Sequence, residues 1–304
     1  KMKRELLFVI PLLFAAITSQ AQSYNNLNNL INRDSLEKNL DNAIGSTILS
    51  EKKQIETSSK DVQMMLDAQA PFGIFKDCYF ATGVPLNKQI NKESADAIFQ
   101  LSIRHRITKS HLPFNSFAYI TFTQKAFWDI YKKSSPFRDL NYNPGIGFGK
   151  YIIRNNKLVG AVFAQIEHES NGKDEEDSRS WNFMSIAYKY FFNPRFSTHT
   201  KVWIPLEISS DNSHLLRYRG FGTFSINYLS RNNRWWSTAE INPRRGWGNV
   251  NTTLSVAYKI HKSDNQYLYA RFFNGKGDSL LNYEDYSINF RVGICIKGDF
   301  YSVY

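Results

Sequence analysis

The chain has 304 residues, with 38 Lys and Arg against 27 Asp and Glu and a formal net charge of +11. Two cysteines exclude a disulfide framework and a Cys-built zinc site, and 42% hydrophobic with 21% charged residues excludes a fully disordered chain. Past the first 21 residues no apolar run approaches the ~18 that a spanning helix needs, which leaves a membrane β-barrel open, because barrel strands alternate and keep mean hydropathy low.

Residues 1–21 read as an export signal. Lys1, Lys3 and Arg4 form a basic start, Leu6 to Ile17 a short apolar run, and Ser19-Gln20-Ala21 a small-residue cleavage site, so cleavage is expected after Ala21. An exported chain has no nucleic acid to meet, and its positive charge points to acidic lipid headgroups. The compartment is oxidising, so Cys78 and Cys295 are either a pair or two free thiols. Residues 22–70 are rich in Asn, Lys, Ser and Glu. They are expected to form a polar extension, either partly helical or disordered, or an arm packed against a barrel end.

From Pro71 onward the composition turns aromatic and β-rich. Phe290, Val292, Ile294 and Ile296 alternate with Asn289, Arg291, Gly293 and Cys295, and Leu254, Val256 and Tyr258 alternate with Ser255 and Ala257. One face is apolar and the other small, polar or cationic. About a dozen such segments follow one another, near 78–85, 98–107, 117–128, 142–153, 159–168, 181–192, 196–206, 219–229, 233–243, 248–260, 265–274 and 285–296. The 265–274 segment alternates poorly, with bulky residues at both parities. Many have the ~9–11 residues of a tilted membrane strand. Lipid offers no hydrogen-bond partners, so a spanning sheet must close. The expected fold is all-β, an antiparallel transmembrane β-barrel over 71–304. Phe300, Tyr301 and Tyr304, aromatics after the last alternating strand, suit an outer-membrane barrel. A secreted β-sandwich also alternates and is the competing architecture.

The chemistry is concentrated in one hairpin. Serine is a weak nucleophile unless a base takes its proton, and the base must be held in one tautomer by a third group. His168 and Ser170 lie two apart, on one face if the strand continues. Asn182 begins the next strand, where a hairpin would return it beside His168. Parity places His168 with Val162 and Ile166, and Asn182 with Met184 and Ile186, all on the apolar outward face. A catalytic group on a lipid-facing wall makes sense for a substrate that sits in the membrane; a surface pair without function is the plain alternative. Between them Asp174, Glu175, Glu176, Asp177 and Ser178 offer oxygen ligands suited to Ca²⁺, without the spacing of an EF-hand. A solvated acidic tip is the alternative there.

These residues resemble the outer-membrane phospholipase A family. The resemblance rests on His168-Glu169-Ser170-Asn171-Gly172 and Ser178-Arg179-Ser180-Trp181-Asn182. Two further stretches support it, Ser134-Ser135-Pro136-Phe137-Arg138-Asp139-Leu140-Asn141-Tyr142-Asn143-Pro144 and Gly277-Asp278-Ser279-Leu280-Leu281-Asn282-Tyr283. It covers roughly 71–304 and implies a twelve-stranded barrel in the bacterial outer membrane that hydrolyses acyl esters of phospholipids at either glycerol position, and lysophospholipids. It implies Ser170 as nucleophile, His168 as general base, Asn182 as the group that orients it and the Gly172 N–H as oxyanion donor. It also implies a calcium-dependent homodimer with the metal at the interface. The ligands would be the carbonyl of Lys173, where the family has Arg, then Ser178, and Ser134 from the partner chain. Asp211 matches a further calcium position seen without dimerisation. A non-catalytic barrel, channel or structural, and a soluble esterase on a sandwich are the competing readings. A dozen strands leave little open lumen once side chains fill it, which weighs against a wide pore.

Overall fold

The structure is a computed structural model and describes residues 58–261 and 265–304. The expected signal and most of the polar extension lie outside the described residues. The described residues form thirteen strands: β1 (Phe72–Ile74), β2 (Cys78–Pro85), β3 (Asp96–Arg106), β4 (Ser116–Trp128), β5 (Phe137–Arg154), β6 (Lys157–Ser170), β7 (Ser180–Asn193), β8 (Phe196–Ile208), β9 (Gly222–Leu229), β10 (Trp235–Pro243), β11 (Val250–Lys259), β12 (Gln266–Gly275) and β13 (Ser287–Ile296). Two helices accompany them, α1 (Ser59–Ala68) and α2 (Leu215–Arg219).

Every neighbouring pair is antiparallel, and the ladder closes because β13 pairs with β2, β2 with β3, and β3 with β4. Twelve strands, β2 to β13, make the wall of the barrel. The short β1 was not expected. It pairs with β3 at Ile103–His105, while β2 pairs with β3 at Asp96–Gln100. Together they are one stave interrupted at Phe75–Asp77. Ser102 bridges the interruption, its carbonyl accepting from the Phe75 N–H and its hydroxyl from the Lys76 N–H.

The alternation turns the sheet apolar side out. Phe148, Ile166, Ile186, Ile204, Leu268 and Ile294 are all exposed. Closure pairs each of the twelve wall strands on both sides, so the backbone is satisfied inside the wall and this apolar girdle meets lipid. No helix among the described residues is long and apolar enough to cross a membrane. The poor alternation of β12 has a simple cause. Its inward residues include Tyr267 and Tyr269, which join Tyr79, Trp236 and Phe300 in an aromatic cluster inside the barrel. Large rings therefore stand on both faces of that strand.

The interior is cross-braced by ion pairs around a remaining cavity of about 390 Å³. Asp96 accepts from Arg291 at 2.7 Å and from Arg138 at 2.8 Å. Asp278, in the loop after β12, dips inward to Lys125 at 2.5 Å and Arg271 at 2.9 Å. Burial alone would raise the Asp278 carboxyl, but Arg271, Lys125 and Arg291 outweigh it and hold it well below the usual carboxylate range. Glu167 takes Lys201 and Ser185, each at 2.5 Å. These buried charges are paired, as buried charges must be, and their side chains bridge the lumen from wall to wall.

The lower rim, where β3 ends and β4 begins, is plugged. Residues after Ile296 fold back inside, and Tyr304 packs among Phe117, Tyr119 and Phe163 beneath the Arg104 guanidinium, 3.7 Å from its ring. The terminal aromatics thus fill the barrel end rather than sit on its outside. The described part of the polar extension is α1, capped by a reciprocal Ser58–Asp61 pair. Arg106 donates to the carbonyls of Leu66, Asp67 and Gln69 and fastens that helix to the barrel end. Strand closure does bring Cys78 and Cys295 onto neighbouring strands. However, the register faces Cys78 with Ile296 and Cys295 with Tyr79, and both thiols are free.

Candidate active site

The upper rim carries the long loops, and the site stands where β6, β7 and β8 reach it. Outward residues Val162 and Ile166 on β6 lead to His168 and Ser170 on the same face, both half-buried. On β7 the outward residues Ile186 and Met184 lead to Asn182. The β6–β7 register places His168 opposite Asn182 and Ser170 opposite Ser180. His168 Nδ1 and Asn182 Oδ1 are 2.8 Å apart. An amide oxygen only accepts, so this bond requires the hydrogen on Nδ1 and leaves Nε2 with a free lone pair. Ser170 shares the face, but no hydrogen bond joins its hydroxyl to the imidazole among the described contacts. Such bonds commonly tighten only with substrate in place.

One partner of this pair was not read from the sequence. The Asn182 side-chain N–H donates to Glu207 Oε2 at 2.8 Å. Strict alternation along β8 would turn Glu207 inward with Lys201 and Trp203. A bulge intervenes: Phe183 faces Pro205 and Asn182 faces Glu207, so Leu206 is an extra residue and parity reverses there. Ile208 then packs inward with Trp181. The only sequence signal was Glu207 at the ragged end of an otherwise apolar alternation.

Behind the wall the site is held rigidly. Glu169 is buried, accepts from Trp181 at 2.9 Å and accepts twice from Arg219 Nη2, at 2.6 and 2.9 Å. Arg219 comes from α2, so this ion pair ties the β8–β9 loop to the hairpin. Asn143 on β5 donates to the His168 carbonyl at 3.0 Å. Asn171 organises the hairpin loop, accepting from the Arg179 N–H at 2.9 Å and donating to the Asp177 carbonyl at 2.8 Å. Gly172 follows with φ of 63°, a left-handed backbone, and an added Cβ would lie 3.3 Å from the Tyr142 ring.

The residues expected at a calcium ion divide. Lys173 and Ser178 lie in the hairpin loop, Ser178 closing a turn with its N–H on the Glu175 carbonyl at 3.0 Å. Asp211 is exposed in the β8–β9 loop and accepts from Ser209 at 3.0 Å. Its neighbour Asn212 clips that loop to β7 through both backbone groups of Ser180. Ser134 sits apart, in the β4–β5 loop with φ of 70°, and makes no hydrogen bond to the others among the described contacts. No cluster of three or more His, Cys, Asp or Glu side chains forms among the described residues. A hard cation in the hairpin loop would rest on the Lys173 carbonyl and the Ser178 hydroxyl, and one at the β8–β9 loop on the Asp211 carboxylate; all are oxygen donors, which fits the preference of calcium.

A family model described as Phospholipase A1 matches residues 81–296. The chain belongs to the phospholipase A1 family. Phospholipase A1 of Salmonella typhimurium is 27% identical over 216 residues, 69% of this chain and 72% of that protein. Phospholipase A1 of Escherichia coli K12 is 27% identical over 213 residues, 68% and 71% of the respective chains. The barrel superposes on outer membrane phospholipase A from Escherichia coli with a TM-score of 0.67 at 24% identity, over 75% of this chain and 99% of that one. A Salmonella typhi outer membrane phospholipase dimer with bound calcium gives a TM-score of 0.66 at 23% identity, over 76% and 94%. The phospholipase A1 match covers the barrel wall almost end to end, from within β2 to the end of β13.

Proposed function

We propose that this phospholipase of the outer membrane cleaves acyl esters of phospholipids with Ser170 as nucleophile, His168 as general base and Asn182 as the group that orients it. The observation that carries the reading is the 2.8 Å His168–Asn182 bond on the outward wall, in register with the strand that bears Ser170. A soluble substrate would not reach such a face in a membrane, whereas a lipid ester does.

Nε2 of His168 takes the Ser170 proton as the serine oxygen bonds to the ester carbonyl carbon. The carbonyl π pair moves to oxygen, and the Gly172 N–H donates to that oxyanion. Collapse breaks the bond to the glycerol oxygen, which leaves with the proton from His168 as a lysophospholipid alcohol. A water molecule, deprotonated by the same ring, then releases the fatty acid and restores Ser170. Asn182 keeps the imidazole upright and favours its doubly protonated form during the transfer. Calcium, when bound, supplies positive charge near the oxyanion. Lys173 through its carbonyl and Ser178 would hold it, with Ser134 from a partner subunit completing an interface site in a homodimer, and Asp211 would serve a further calcium position that does not need the dimer. The bound calcium and the dimer described for the Salmonella typhi relative support both elements.

The test is fatty-acid release from phospholipid and lysophospholipid in detergent micelles, with calcium and with a chelator. The wild-type barrel releases fatty acid only with calcium, and Ser170→Ala releases none. Full activity in chelator removes calcium from the account, and full activity of S170A removes the nucleophile.

A further inference from the structure

We infer that Glu207 is a positioning residue for this reaction, a fourth member that sets the histidine tautomer through Asn182; the inference rests on the triad reading above. Two independent observations carry it. The first is the 2.8 Å bond from the Asn182 N–H to Glu207 Oε2. The second is the β8 bulge at Leu206, without which Glu207 would point into the barrel with Trp203.

The two ends of the Asn182 amide differ in what they offer the ring. Asn182 can present either its oxygen or its N–H to His168, and the two faces have nearly the same shape. With the oxygen toward the ring, the hydrogen sits on Nδ1 and Nε2 is a base. With the amide turned over, an N–H meets Nδ1, the hydrogen moves to Nε2, and the ring loses its capacity to accept from Ser170. A carboxylate only accepts, so Glu207 binds the N–H end and leaves the oxygen for His168. The two bonds then form a chain, carboxylate to amide to imidazole, in which each polarises the next. The carboxylate also offers negative charge, relayed by the amide, to the imidazolium that forms during acyl transfer. Asn182 alone, unlike an aspartate, has none to offer.

A carboxylate on this wall is otherwise costly. Leu206 beside it and Ile204 before it are exposed apolar residues of the lipid-facing girdle. A charged group at that face persists where it has a use and lies near the rim. The bulge places it there at the end of β8, one residue before the strand stops at Ile208.

The test measures kcat and KM on micellar phospholipid with saturating calcium for wild type, S170A, E207A, E207Q, N182A and N182A/E207A. Migration of each unheated protein as a closed barrel serves as the folding check. E207A lowers kcat by about tenfold to a hundredfold, the span of a hydrogen bond to a charged group, and leaves KM unchanged because Glu207 does not touch the ester. E207Q, whose carbonyl still accepts from Asn182, recovers most of that loss. Adding E207A to N182A costs nothing further, since the route through the amide is already cut. Wild-type kcat in E207A beside an inactive S170A overturns the role of Glu207 and leaves the triad standing. An equal loss from E207A with and without Asn182 overturns the route through the amide. Full activity in S170A overturns the triad and this inference with it. Should E207A fail to close, E207L, which keeps aliphatic bulk at the wall, takes its place.

Discussion

Asn182→Asp is the substitution on which ordinary serine-hydrolase reasoning and this structure disagree. An aspartate would give the imidazolium a direct counter-charge, and on that ground alone the variant should equal or exceed the wild type. Here the atom that Asn182 turns toward Glu207 is an N–H, 2.8 Å from the carboxylate oxygen. Aspartate replaces that donor with an oxygen and brings two carboxylates together. At about 4 Å their repulsion is roughly 1 kcal/mol in water and about 4 kcal/mol at an effective dielectric near 20. The pair stands at the rim, one residue from the end of β8, where water rather than lipid surrounds it, so the lower half of that range applies, and one carboxylate either swings away or takes up a proton. Either response misplaces the His168 partner. N182D should therefore lose about fivefold to thirtyfold in kcat near neutral pH, for about 1–2 kcal/mol. Replacing Glu207 with Gln in the same chain removes the repulsion and restores a donor, so N182D/E207Q regains the lost activity. Steady-state hydrolysis of micellar phospholipid at low and high salt measures this, and added salt should narrow the gap. N182D as active as wild type, or no gain on adding E207Q, would refute the reasoning.

Other outcomes follow from the same geometry. Ser178→Ala raises the calcium concentration needed for half-maximal hydrolysis by about tenfold, as expected for one lost oxygen ligand, and calcium titration of activity reads it. Gly172→Ala forces a Cβ toward Tyr142 onto a left-handed backbone; shifting one oxyanion donor costs up to about 10²–10³ in kcat, with the closed barrel retained on gels. Asp278→Asn removes the charge that Lys125 and Arg271 share; breaking such a buried pair costs about 3–5 kcal/mol, read as a lower denaturation midpoint. Because the folded Asp278 carboxyl lies below its unfolded range, its contribution is fully present above that range and drains as pH falls through it. Stability of the wild type against D278N should therefore converge in acid.

Much of the wall was legible because lipid imposes a rule on every strand. The strand ladder follows the period-two segments closely: the 196–206 expectation became Phe196–Ile208 and the 285–296 expectation became Ser287–Ile296. The same parity placed His168 and Asn182 outward, and the hairpin register brought them together. Two features escaped that reading, both at interruptions of the period. β1 is a fragment cut from the first stave at Phe75–Asp77, too short to show alternation. The bulge at Leu206 reverses parity within β8, so the one charged residue that meets Asn182 looked like an inward one. β12 alternates in space but not in hydropathy, because its interior face is lined with tyrosines. The terminal aromatics do go with a barrel, as expected, and their place inside it answers a packing need that strand alternation does not encode.

The central claim is that Ser170, on the outer wall, becomes acylated. Incubating the detergent-solubilised protein with a fluorophosphonate reagent and locating the adduct by peptide mass spectrometry tests it directly. One adduct on Ser170, lost in His168→Ala while the barrel stays closed, is the result this account predicts. Labelling elsewhere, or no labelling of a preparation that still releases fatty acid, would contradict it.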